Sequence, residues 1–319
     1  MSASEFQDEN NLLLPIPNIS NEEYQSLVQN AVGCGMRASD GVVKSQWQGR
    51  PVAVKRFDRR STPVPMERIL NELRMLARCI GHPNVVQLLA AGPDLPSRCS
   101  FHLTEYADCG SLEKVLHYSP DVSYTLAHAV SWALQAAQAL DFLHHTISPP
   151  HCHGDVKPAN MLLFDSGTRL KLSDFGASGS LGIEQVPRPA TLAYTAPEIA
   201  YIRSGSWTVS LWEMLARKRP YESGQNSKAT FWSIFASRLP TFSNCPEALR
   251  VICEKGLSSK PEERPSMKHA ADVLRFSLDK ILARGVSLSR LDLHGNTSPV
   301  CLTKVSFIYS VGAVSSKIS

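Results

Sequence analysis

The chain has 319 residues, 43% of them hydrophobic, which is enough for one two-lobed domain or two small ones around a packed core. Its 33 Lys and Arg against 29 Asp and Glu leave a net charge of +4, too mild an excess to direct it onto nucleic acid or an anionic membrane. Eight scattered cysteines without a C-x-x-C pair argue against a disulfide framework or structural zinc. No apolar run approaches the ~20 residues that span a bilayer, so a reduced, cytoplasmic chain without membrane insertion is expected.

Residues 1–26 lack apolar periodicity and read as a tail. From Val28 to Phe57, short β-rich runs broken by glycines predict a small antiparallel sheet. Gly33-Cys34-Gly35 and then Gly41-Val42-Val43 fall in this region. Such glycines let backbone N–H groups approach the phosphates of a nucleotide, although a Gly-rich hairpin without a ligand has the same appearance. Val52-Ala53-Val54-Lys55 follows as a strand that sets a lysine among apolar neighbours. Between Pro65 and Ala77, Met66, Ile69, Leu70, Leu73, Leu76 and Ala77 recur at helical spacing, with Glu72 among the polar positions. A carboxylate there can hold the lysine in place.

Val85 to Leu89 and Ser100 to Tyr106 read as further strands, and Cys109-Gly110 breaks the pattern. The stripe of Val130, Ala133, Leu134, Ala137 and Leu140 then predicts a buried helix in a mostly helical second lobe. His153-Gly154-Asp155-Val156-Lys157-Pro158-Ala159-Asn160 and Asp174-Phe175-Gly176 come next. Together with Lys55 they supply a proton acceptor, cations for a phosphoryl group and two metal ligands. The pattern thins after about Leu274. The apolar stretch Val300 to Val311 is too short to cross a membrane and is assigned no function.

Taken in this order, the motifs resemble the protein kinase family over roughly residues 27–280. The resemblance implies an α+β, two-lobed fold that uses ATP and Mg²⁺, with a small antiparallel sheet lobe carrying one helix (about 27–104) and a larger helical lobe (about 105–280). Residues 281–319 form a tail of unknown role. It implies that Gly33, Cys34, Gly35 and Gly41 cover the phosphates, that Lys55 paired with Glu72 binds them, and that Asp155 deprotonates the substrate hydroxyl while Lys157 steadies the γ-phosphate. Asn160 and Asp174 would hold the metal. Val43, Ala53 and Leu162 would sandwich the adenine, Thr104 would guard the back of its pocket, and the backbone from Glu105 to Ala107 would bond it. Leu76, His153 and Phe175 would stack into one apolar column, and Glu198 would pair with Arg264.

Lys157, two residues after the base, and Thr191, before Tyr194 and Ala196-Pro197-Glu198, are similar to the serine/threonine-specific members. His82-Pro83-Asn84-Val85-Val86, the segment from Glu105 to Leu112 and Lys260-Pro261-Glu262-Glu263-Arg264-Pro265-Ser266-Met267 are most similar to kinases that activate mitogen-activated protein (MAP) kinase kinases, the transforming-growth-factor-β-activated kinase and its insect relatives above all, with the mixed-lineage and receptor-interacting kinases as near rivals. The expected partners are a MAP kinase kinase as protein substrate and adaptor proteins, in stress or innate-immune signalling.

Three features depart from the family pattern. Five residues, Met36 to Asp40, separate Gly35 from Gly41 rather than the two of a G-x-G-x-x-G motif, and Gly154 stands where an arginine is expected, which puts control by loop phosphorylation at Ser178, Ser180 or Thr191 in question. The interval from Glu198 to Leu211 is about seven residues short and lacks the aspartate that begins the central helix. These departures keep open a second reading, a pseudokinase scaffold that binds ATP or a partner kinase.

Overall fold

The computed structural model describes residues 3–7, 13–29, 31, 41–57, 65–92, 101–180, 205–220, 246–258 and 260–292. The expected tail holds an ordered segment. Strands β1 (Ala3–Gln7) and β2 (Leu13–Pro17) pair antiparallel, and helix α1 (Asn21–Gln29) follows, its Glu23 N–H donating to Ser20 Oγ at 3.1 Å. Ile16, Ile19 and Leu27 are buried, and the Ile19 N–H donates to Ala91 O. The polar character of the segment hid these three anchors.

Strands β3 (Val42–Trp47) and β4 (Arg50–Arg56) are joined by Gln48 and Gly49, both with positive φ, the two-residue connection that matches the twist of a hairpin. The sheet runs β3-β4-β6-β5, all antiparallel, with β5 spanning Leu88–Gly92 and β6 Phe101–Glu105. Alternation divides its two faces. Val52, Val54, Phe101 and Leu103 join Ile19, Leu27 and Trp47 in one apolar cluster, while Ala53, Lys55, His102 and Thr104 share the other face by register. Helix α2 (Met66–Arg78) lays Ile69, Leu73, Met75 and Leu76 into the main core, as its apolar periodicity predicts.

In the second lobe β7 (Gly110–Ser111) leads into a single π-helical turn, Lys114–Tyr118, and then α3 (Leu126–His145). Small residues at Ala129, Ala133, Ala136 and Ala137 let neighbours pack closely against α3. Strand β8 (His151–Cys152) precedes β9 (Met161–Phe164), β10 (Arg169–Leu172) and β11 (Gly179–Ser180), in two small sheets ordered β10-β9-β7 and β11-β8. Helices α4 (Gly205–Ala216), α5 (Glu247–Gly256) and α6 (Met267–Ala283) complete the described large lobe.

The short interval after Glu198 leaves α4 formed. It spans 12 residues, and Trp207, 1% exposed, donates its indole N–H to Ala133 O at 3.1 Å. The expected weakness of this helix start falls on residues up to 204, outside the described ones. Order also continues past α6: Thr125 Oγ1 donates to Ser287 O (2.7 Å), His128 Nε2 to Ser289 O (2.7 Å) and Leu291 N to Ser166 O (2.8 Å), so residues 286–291 strap the start of α3 to the β9–β10 turn.

Candidate active site

Strand alternation turns Lys55 to the same side as Ala53, and its Nζ meets both carboxylate oxygens of Glu72, at 2.7 and 2.9 Å. Asp174 Oδ1 lies 3.3 Å from the same nitrogen. Glu72 is only 4% exposed, because its helical position falls beside the buried stripe of α2 rather than on the solvent face its polarity suggests. Burial pushes the Glu72 carboxyl above its ordinary pKa, against the pull of Lys55. Burial draws Lys55 down, but Glu72 and Asp174 outweigh it and hold the ammonium above its usual value. For Asp174 burial is likewise outweighed, chiefly by Lys55, and its carboxyl stays below the ordinary range.

His102 faces Lys55 across the β4–β6 pair. It is 2% exposed, with Nε2 3.9 Å from Glu72 Oε1 and Nδ1 buried without a hydrogen-bond partner. Burial, reinforced by the charge of Lys55, pushes it down to about 3, so the imidazole is neutral. The motifs do not point to His102; the available signal was a histidine at a strand position cross-paired with the motif lysine.

On the opposite side, Lys157 Nζ donates to Asp155 Oδ2 at 2.9 Å, and the Asn160 amide nitrogen donates to Asp155 O (2.8 Å) and Oδ2 (3.0 Å). Asn160 O accepts from both the N–H and Oγ of Ser173, at 2.9 and 3.1 Å, which couples this loop to the residue before Asp174. His153 accepts at Nδ1 from the Asp155 N–H and donates from Nε2 to Ser173 O at 3.0 Å, which defines its neutral tautomer. Burial keeps its pKa below the ordinary value. The His153 and Phe175 rings lie 4.6 Å apart, and Leu76 of the expected column is buried in the same core cluster as Phe175. Gly154 has a φ of 77°, a conformation glycine adopts without strain.

Ala53 and Thr104 are cross-strand partners on the Lys55 face, and Leu162 is half-buried on β9 opposite Lys171. Val43 is a correction to the expected adenine sandwich. It pairs with Val54 and packs into the outer cluster, whereas Val42, the partner of Lys55, takes the inner face; the period-2 alternation of a strand makes one residue of register decisive. Gly41 sits at φ 61°, and a Cβ there would come within 2.7 Å of Arg56 O, so hairpin closure already requires glycine. The Glu105 N–H donates to Gln87 O, and its carboxylate accepts from Lys171 Nζ at 2.6 and 2.8 Å; Ala107 is buried. Ser178 is buried, its Oγ donating to Phe175 O at 2.6 Å. Arg264 is buried and donates to Ser258 O. Gly33, Cys34, Gly35, Thr191, Tyr194 and Glu198 lie outside the described residues.

The Asp174 carboxylate and the Asn160 carboxamide oxygen are hard donors of the kind Mg²⁺ takes, and the depressed Asp174 pKa keeps its carboxylate ionised. The arrangement thus combines a buried carboxylate bonded to a lysine with a second cation and an oxygen-donor pair, a set suited to moving a phosphoryl group.

A family described as the protein kinase domain matches residues 27–274. The chain is 34% identical over 245 residues to mitogen-activated protein kinase kinase kinase 7 of Drosophila melanogaster, covering 74% of this chain and 35% of the relative. It is 32% identical over 284 residues to the protein of the same name from Homo sapiens (86% and 45% covered), and 32% identical over 248 residues to a putative mitogen-activated protein kinase kinase kinase 7-like protein of Drosophila melanogaster (73% and 62%). The chain therefore spans about a third to three-fifths of the length of these relatives. Among the described residues, no helix is long and apolar enough to cross a membrane.

Proposed function

The chain belongs to the protein kinase family, and on that premise we propose that it transfers the γ-phosphate of ATP to serine or threonine hydroxyls of a MAP kinase kinase. The observation that carries this reading is the continuity of the charged set: Lys55 contacts Glu72 and Asp174, Asp155 contacts Lys157 and Asn160, and Ser173 joins the two groups through Asn160 O. Asp174 and Asn160 would hold Mg²⁺, which would neutralise phosphate charge. The chain's own residues do the rest. Lys55, held by Glu72, binds the phosphates, and Asp155 orients the substrate hydroxyl and accepts its proton. Lys157 offsets the charge of the transferring group. The barrier falls through alignment and fixed charge rather than through a covalent intermediate.

Lys157 and the kinship to kinases named for acting on MAP kinase kinases support the hydroxyl class and the substrate. On the same kinship we assign the protein to cytoplasmic stress or innate-immune signalling with adaptor partners. The catalytic unit is assigned to residues 27–280, with Ile16 and Ile19 of the preceding segment packed on it, while α6 runs on to Ala283 and residues 286–291 strap α3 to the β9–β10 turn.

The test is to incubate the chain with γ-labelled ATP, Mg²⁺ and an inactive MAP kinase kinase, and to identify the labelled residues. Label on serine or threonine supports the reading. Label on tyrosine, or none with a folded, nucleotide-binding chain, overturns it, the latter in favour of a scaffold.

A further inference from the structure

Helix α2 touches the metal-side loop at more than Glu72. The Asn71 amide nitrogen donates to Ser178 O at 2.9 Å, to Ser178 Oγ at 3.2 Å and, more weakly, to Phe175 O at 3.5 Å. One turn earlier, Arg68 Nε donates to Gly176 O at 3.3 Å. Thus the carbonyls of residues 175, 176 and 178 all accept from side chains of one helix. Asp174, immediately before them, has φ 61° and ψ 68°. A residue with a Cβ holds that left-handed conformation only where its surroundings over-determine it. Lys55 restrains the Asp174 carboxylate, and on its C-terminal side this set of bonds acts on the backbone beside the burial of Phe175 against His153.

We propose that Asn71 is a positioning residue for phosphoryl transfer: it latches the Phe175–Ser178 turn to α2 so that Asp174 keeps the conformation in which its carboxylate meets Lys55. The inference rests on the kinase reading above and extends it to a residue that touches neither nucleotide nor substrate. Because Asn71 and Glu72 are adjacent on α2, a shift of the helix would loosen the Lys55 pair and the latch together. Packing alone would be served by an apolar side chain at this half-buried site; the amide is suited to the carbonyls it meets. The latch also gives buried Ser178 a structural task, with its Oγ donating to Phe175 O while facing the Asn71 amide.

Asn71→Asp keeps the shape and removes both N–H donors, and Asn71→Gln restores a donor. Two readouts are taken: steady-state transfer, and the gain in ATP affinity on adding Mg²⁺, measured by calorimetry without any phosphate acceptor. The aspartate variant should lose about tenfold in kcat with KM for ATP within about twofold, and its Mg²⁺-dependent gain should shrink while Mg²⁺-free affinity is unchanged. The glutamine variant should recover part of both. Wild-type kcat and an undiminished Mg²⁺ gain in the aspartate variant would overturn the proposal, as would an equal loss of Mg²⁺-free affinity. Should that variant not fold, Asn71→Ala removes every donor of the latch without adding charge and must shrink the Mg²⁺ gain, an unchanged gain again overturning the idea. A wild type without transfer sinks the kinase reading but leaves the Mg²⁺ gain to decide the latch; a wild type whose ATP affinity ignores Mg²⁺ sinks the latch as well.

Discussion

The two sides of the cleft carry similar charges but hold them by different means. In the small lobe, Lys55 comes from a strand and Glu72 from a helix, and they meet only because α2 lies where it does. In the large lobe, Asp155, Lys157 and Asn160 belong to one loop, and that loop is tied through its own backbone to Ser173 and His153. The first arrangement can be opened by moving one helix. The second is built into the fold and should yield only when the lobe itself loosens. A site made of one adjustable half and one fixed half can be regulated without dismantling its chemistry.

The largest break should come from the fixed side. Trp207→Ala empties a fully buried site between α4 and α3 and removes the indole bond to Ala133 O, at an expected cost of about 3–5 kcal/mol. Denaturant unfolding should show that loss, and turnover should fall with the folded fraction.

A pH titration compares one histidine from each half. His102 is held at about 3 and His153 below its ordinary value, so as pH falls from 6.5 the unfolded chain takes up protons that the folded chain refuses. Stability is then complete above the unfolded pKa of 6.5 and drains away towards pH 3, by on the order of a few kcal/mol for His102 alone at 1.36 kcal/mol per unit. His102→Leu should flatten that slope, leaving the share due to His153, His82 and His128, whose pKa values burial also lowers; a variant with the wild-type slope would contradict the assignment.

The smallest effect on stability, and the one most confined to function, should be Glu72→Gln. It removes the charge that fixes Lys55, and kcat should fall by about tenfold, with unfolding free energy lowered by about 1–3 kcal/mol, less than for Trp207→Ala. An equal fall in stability would mean that the small-lobe half is as structural as the large-lobe one.

How much of this was legible in the sequence follows from the range of the interactions. Lys55, Asp155, Asn160 and Asp174 announce themselves because their chemistry constrains residue type at fixed local spacing, and α2 and α3 because apolar periodicity is local too. Val43 was assigned to the wrong face because a strand reverses its faces with each residue, and only the pairing of Val42 with Lys55 settles the register. Ser20 and Glu23 did carry a helix-start signature for α1, obscured by the lack of an apolar stripe. Asn71 was beyond reach, since its meaning lies in a partner far along the chain, Ser178, and His102 offered only a histidine in a strand that pairs with the one carrying Lys55. The strap of residues 286–291 is held largely through carbonyl groups that every sequence possesses.

The most direct test is Mg²⁺-dependent transfer of γ-phosphate to a serine/threonine substrate by the wild type beside Asp155→Asn, with ATP affinity measured for both. Robust transfer by the wild type, lowered roughly 10²–10⁴-fold in a variant that still binds ATP, is the predicted result. A folded, ATP-binding wild type without transfer, or a variant as fast as the wild type, would contradict it.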